Sequence, residues 1–170
     1  MEIKTGNALA VSPKEYGNII VAHCCNNIGA WGAGFVKAID EISHLPNQEY
    51  KKLAKTNQNF IPLGEVQFVE VSPNFSIANM IAQHGITKLP GDRRICYDAF
   101  NTCLSKVFEK AATSSCSIHM PSGIGSGLAG GSKSEIHKIV QTLSDKYPNV
   151  KVVMWEYNDK NSPFYVESKK

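Results

Sequence analysis

From position 23 to position 35 the chain reads HCCNNIGAWGAGF. His23 is an imidazole, which titrates near neutrality and can move a proton to or from a reacting group. Asn26 and Asn27 carry amides that can donate to and accept from sugar hydroxyls. The glycines after them leave backbone N–H groups unshielded. A second run of the same kind, PSGIGSGLAGG, occupies 121–131. Glycine admits positive φ and lets a phosphate come close without meeting a Cβ, so each run reads as an anion-accepting nest. Two nests, each at the end of a strand in the same sheet, fit a diphosphate, and the chemistry points to a nucleotide-like ligand.

Alternative phosphate motifs fail. No Gly-Lys-Ser/Thr follows either run, and GAWGAG departs from the dinucleotide fingerprint, with no acidic residue closing a following strand. Several of these side chains have a structural reading beside the functional one. His23 lies within a strand and fits a satisfied core histidine equally well. Trp31 can anchor its loop or wall a ligand. Trp155 and Tyr157 alternate at the end of the last strand and share a face, either stacking on a base or packing the core.

Both glycine runs must be held between a strand and a helix. NIIVAHCC (18–25) is an apolar run expected of a strand buried on both faces. Helices are expected over 34–43, with Phe35, Ala38, Ile39 and Ile42 on one side, and over 46–56. GEVQFVEV (64–71) alternates as a half-buried strand, Pro73-Asn74 is a turn, and FSIANMIAQ (75–83) is the next strand. Asp92 is the expected N-cap of a long helix running to about Thr113, striped by Tyr97, Phe100, Leu104, Val107, Phe108 and Ala111. SIHM (117–120) is a strand. Ser132 and Glu135 form a capping box for a helix carrying Ile136, Ile139, Val140 and Leu143. VKVVMWEY (150–157) is the last strand, and a polar tail follows. The expected fold is a single-domain three-layer α/β/α sandwich with a mixed central sheet over residues 1–158, with 159–170 as the tail.

At 170 residues, with 42% hydrophobic and 19% charged residues, the chain can close one core and shows no disorder signature. A net charge of +3 without a long basic block gives no argument for a nucleic-acid partner. The five cysteines form no CxxC pair and no zinc-ligand array, so no metal or cofactor is expected and a reducing compartment is. MEIKTG lacks an apolar leader core, and no segment reaches the roughly 18 apolar residues of a membrane span, so the expectation is a cytoplasmic protein without membrane contact. The sequence carries no signal for oligomeric state.

The segments TGNALA, IIVAHCCNNIGAWGAGF, LGEVQ with IANMIAQ, and IHMPSGIGSGLAGG resemble, in order, the macro domains that bind ADP-ribose. The histidine-to-tryptophan spacing in HCCNNIGAWGAG is most similar to the yeast and phage-type ADP-ribose 1″-phosphate phosphatases. The resemblance implies roles. Asn7, beside Ala8 and Leu9, stands where an aspartate often contacts the adenine amino group. Asn26 matches the asparagine of the distal ribose. Trp31, Gly32, Ala33, Gly34 and Phe35 match the loop along the diphosphate and distal ribose. Ser122, Gly123, Ile124, Gly125, Ser126, Gly127 and Leu128 match the second phosphate loop, with Gly125 and Gly127 nearest the phosphate. Trp155 or Tyr157 would border the adenine. A related branch that removes ADP-ribose from protein uses a lysine and an aspartate, which fall near Gln83 and Ala129 here, where neither chemistry is available.

The implied activity is hydrolysis of ADP-ribose 1″-phosphate to ADP-ribose and phosphate, with His23 activating water or protonating the leaving oxygen and Asn26 orienting the ribose. The alternatives are a module that binds ADP-ribose or a derivative without turnover, and a hydrolase that releases ADP-ribose from protein or nucleic acid.

Overall fold

The computed structural model describes residues 1–32, 34–86 and 92–157. Ala33 and the expected tail 159–170 lie outside the described residues. Six strands, β1 (Glu2–Thr5), β2 (Asn18–Asn26), β3 (Val66–Ser72), β4 (Phe75–Gln83), β5 (Cys116–Pro121) and β6 (Val152–Glu156), form one sheet in the order β1-β6-β5-β2-β4-β3. All neighbours are parallel except β3 against β4. The helices are α1 (Pro13–Tyr16), α2 (Phe35–Ile42), α3 (Leu45–Thr56), α4 (Tyr97–Ser114) and α5 (Lys133–Lys146), with a 3-10 turn at Ala8–Ala10. No helix among the described residues is long and apolar enough to cross a membrane.

The period of two along β2 decides the layers. Ile20 and Ala22 face α4 and α5, together with Met80, Met120, Phe100, Leu104 and Phe108. Ile19 and Val21 face the opposite way, against Leu9 and Ile39 of α2. Farther along the same face Cys25 meets Tyr50 and Ala54 of α3. Full burial of side chains such as Phe100, Leu104 and Phe108 stabilises the sandwich by about 1.5–3 kcal/mol each. β2 is covered on both faces, which explains why it reads as a continuous apolar run.

Two expectations change. Asp92 does not cap α4: the helix starts at Tyr97 behind Cys96, which makes no side-chain cap, while Asp92 Oδ2 accepts from Nε and Nη2 of Arg94 at 2.8 and 2.6 Å. The segment between Asp92 and Tyr97 is not helical, with Ile95 bridging Gln83, so Asp92 stands five residues ahead of the first helical residue and out of capping position. The capping box of α5 forms only in half. Ser132 Oγ accepts from the Glu135 N–H, but the Ser132 N–H donates to the Tyr97 hydroxyl at 2.9 Å. β1 and α1 had no sequence expectation; β1 is a short, exposed edge strand that pairs only with β6.

Connections leave the two neighbouring strands β2 and β5 toward opposite faces, β2 to α2 and β5 to α5. Their carboxyl ends therefore lie at a topological switch point, the place where open α/β sheets bind ligands.

Candidate functional site

The first glycine run begins at Asn26, which is 7% exposed. Its Oδ1 accepts from the backbone N–H groups of Ile28 and Ala30, both at 3.1 Å, and its Nδ2 donates to Ala30 O at 2.7 Å. Donors on one side and a carbonyl on the other fix the amide orientation. The oxygen is committed to the loop, and one Nδ2–H has no partner among the described residues. Asn27 is a staple: its N–H donates to Gln83 O, its carbonyl accepts from Ile61 N, and its Oδ1 accepts from Gly85 N at 2.9 Å. It ties together the ends of β2 and β4 and the 57–61 loop.

Trp31 anchors rather than walls. Its Nε1 donates to the Asp40 carboxylate at 3.1–3.2 Å, and its ring meets His23 edge-on and Tyr50 at a tilt. Downstream, α2 opens at Gly34 with no side-chain cap, so its first-turn N–H groups have no side-chain acceptor among the described residues. Gly32 is exposed, and a Cβ on it would meet nothing within 4 Å.

His23 is 2% exposed, beneath Trp31 and Phe35. Its Nε2 lies 2.6 Å from Asn79 Oδ1 and donates to it. Burial lowers its pKa to about 4, against which the Asn79 bond works in the raising direction. Such an imidazole is neutral at pH 7 and committed to a core amide. The placement supports a packing role and does not suit the proton transfer expected of it.

The second run is a chain of tight turns. Ser126 Oγ and Ser126 N both donate to Gly123 O, and Gly131 N donates to Gly125 O. The N–H groups of Gly123, Gly125 and Gly127 have no hydrogen-bond partner among the described residues. Ser122 is buried, with its N–H on Trp155 O and its carbonyl accepting from His137 Nε2 at 2.9 Å. Ile124 plugs the core instead of facing a ligand. Gly125 has φ +69°, and a Cβ there would press on Ile136 and Ile95. Its lack of a side chain serves folding as well as ligand access, whereas around Gly127 the space is open. Leu128, exposed, comes within 3.6 Å of where a Gly34 Cβ would stand, so the two glycine runs face each other.

At the other end, Asn7 Oδ1 accepts from Leu9 N at 2.9 Å and caps the 3-10 turn, and Ala8 and Leu9 are buried. Asn7 therefore keeps N–H groups to offer, and its oxygen, already holding the Leu9 N–H, has a second lone pair for the acceptor role expected toward an adenine amino group. Trp155 is pinned: Nε1 donates to His119 Nδ1 at 3.0 Å, and its ring lies where a Gly6 side chain would be. Tyr157, half-buried, follows β6. Sequence reasoning overlooked Tyr50, which sits in no motif, and His119, which lies in the quoted IHMPSGIGSGLAGG segment but reads as a strand residue; only the fold brings them to Asn26 and Trp155.

Burial also lowers His119 to about 4, assisted by Lys151 and Lys4. In the unfolded chain imidazole protonates near 6.5. Between 6.5 and 4 the unfolded state binds more protons, so stability is full above about pH 6.5 and falls as pH drops through that window. The shifts of His23 and His119, each from 6.5 to about 4, correspond to about 3 kcal/mol apiece. Thermal unfolding should show a melting temperature that declines steeply from pH 7 to 4.5, and His119→Asn should flatten the slope. A pH-independent melting temperature would contradict the burial of both rings.

No protein-family model matches the sequence, and no curated protein does. Among solved structures, a protein from Bacteroides thetaiotaomicron superposes with a TM-score of 0.82 at 34% identity, over 92% of this chain and 99% of that one. A macrodomain protein from Streptomyces coelicolor gives 0.76 at 34% identity, over 91% and 97%. A mutant macrodomain from Oceanobacillus iheyensis, solved with ADPR, shares the fold with a TM-score of 0.66 at 19% identity, over 95% and 88%.

Proposed function

The chain belongs to the macrodomain family, and from that premise we propose that it binds ADP-ribose in the crevice between β2 and β5 and releases phosphate from ADP-ribose 1″-phosphate. The observation that carries the binding reading is the pair of opposed glycine runs, with the uncapped start of α2 on one side and the unpartnered N–H groups of Gly123, Gly125 and Gly127 on the other. Backbone N–H groups and a helix N-terminus are the donors a diphosphate requires. The adenosine end then lies toward Asn7, Trp155 and Tyr157, and the distal ribose toward Asn26. Asn26 acts there as a donor only, its free Nδ2–H meeting a ribose hydroxyl oxygen.

The phosphatase reading rests on the spacing of HCCNNIGAWGAG and on what the crevice offers. Ser122 is buried and Ser126 is turned into its own loop, so neither is placed as a nucleophile. Gln83 ends β4 and Ala129 is buried, so no lysine or carboxylate stands at those two places. Hydrolysis would then proceed by a positioned water, with loop N–H groups stabilising charge on the phosphoryl oxygens and Asn26 holding the ribose. His23 supports the loop from beneath.

Calorimetry is expected to give micromolar binding of ADP-ribose and much weaker binding of AMP, which leaves one glycine run empty. Equal affinities would refute the two-loop site. Phosphate release from ADP-ribose 1″-phosphate tests the reaction, and tight binding without release would leave a module that holds its ligand unchanged.

A further inference from the structure

We propose that Tyr50 is a positioning residue for the distal-sugar end of this site, fixing Asn26 from beneath so that its free N–H faces the ligand; the proposal rests on the ADP-ribose reading above. Tyr50 is fully buried in α3, and its hydroxyl lies 2.6 Å from Asn26 O and 2.7 Å from Asn26 Oδ1. Its one proton serves either acceptor, and both acceptors belong to Asn26. Burial pushes the phenol upward, so the hydroxyl keeps that proton at any working pH.

α3 is a suitable platform because it is tied to both the sheet and the loop. Asn79 Nδ2 donates to Pro46 O at 3.1 Å and Gln67 Nε2 to Glu49 O at 3.0 Å, which hold the helix on β4 and β3. On the loop side, Lys51 Nζ donates to Gly29 O at 2.6 Å, and Ala54 packs where a Gly29 Cβ would stand. The Tyr50 ring also tilts against Trp31. Asn26 therefore takes its geometry from a helix whose position is set elsewhere in the fold. A hydrogen bond in so dry a place is stronger than at the surface and narrows the rotamers of its partner.

The test is Tyr50→Phe, which keeps the ring and removes only the hydroxyl. ADP-ribose affinity should fall about tenfold by calorimetry, while AMP, which lacks the distal ribose, should bind as it does to the wild type. A merely structural role would weaken both ligands alike, and that result, or unchanged ADP-ribose affinity, overturns the proposal. Absence of ADP-ribose binding by the wild type would overturn the functional reading first and the proposal with it. Should the phenylalanine variant not fold, the protein carrying 3-fluorotyrosine supplies the second measurement. ADP-ribose should shift the fluorine resonance of Tyr50 and AMP should not; no shift with saturating ADP-ribose rejects the role.

Discussion

Replacing Asn26 by alanine should lower ADP-ribose affinity by about 100-fold, with AMP affinity changed little. The amide does two things at once. It folds the 27–30 segment through Ile28 N, Ala30 N and Ala30 O, and it offers its remaining N–H to the ribose. Alanine leaves the part-buried backbone groups without their side-chain partner and strips the buried Tyr50 hydroxyl of one of its two acceptors, and an unmet buried group costs on the order of 1–3 kcal/mol. The loop then rearranges, and small misplacements at such sites cost on the order of 100-fold in rate. Phosphate release from ADP-ribose 1″-phosphate should fall at least as far. Affinity for ADP-ribose within threefold of the wild type would remove Asn26 from the site.

Gly130→Ala should be the most destabilising single-methyl change at the second run. Gly130 has φ +74°, and an added Cβ would overlap the Asp92 carbonyl oxygen and come to 3.0 Å from Arg93 Cα. Those atoms are backbone and cannot turn aside. They belong to the segment that braces the run, since the N–H groups of Arg94 and Ile95 both donate to Ala129 O. A left-handed strain and a backbone clash together cost about 3 kcal/mol or more, which in a chain of this size lowers the melting temperature by about 10 °C. Differential scanning calorimetry decides it, and a drop of less than about 2 °C would mean that the 92–95 segment yields freely. Gly127→Ala, where a Cβ meets nothing within 4 Å, is the matched control for folding.

The sequence by itself determined the layers and the two runs that matter. The short, β-branched apolar run from 18 to 25, closed by a glycine turn, reads as a doubly covered strand, and the helical spacing of apolar residues from Tyr97 to Ala111 reads as a helix, as both prove to be. The strand 75–83 and the start of α5 behind Ser132 were equally legible, since turn and cap chemistry are local. So were the glycine runs after β2 and β5, as bare backbone needs no partner to be recognised.

What the side chains in those runs do was not legible. His23 reads as a candidate base until Asn79, fifty-six positions away, takes its Nε2 and the core removes its water. Trp31 and Trp155 read equally as anchors and as ligand walls until Asp40 and His119 claim their indole N–H groups and fix where each ring lies. Asp92 reads as a helix cap until Ile95 is drawn into a bridge with Gln83, which delays the helix to Tyr97. Tyr50 carries no signal in its own segment, a polar amphipathic helix, because its partner is an amide on another strand. Periodicity is a property of neighbours along the chain, and it survives folding unchanged. Whether a polar atom is free for chemistry depends on which distant donor or acceptor the fold delivers to it, and only the tertiary structure decided that.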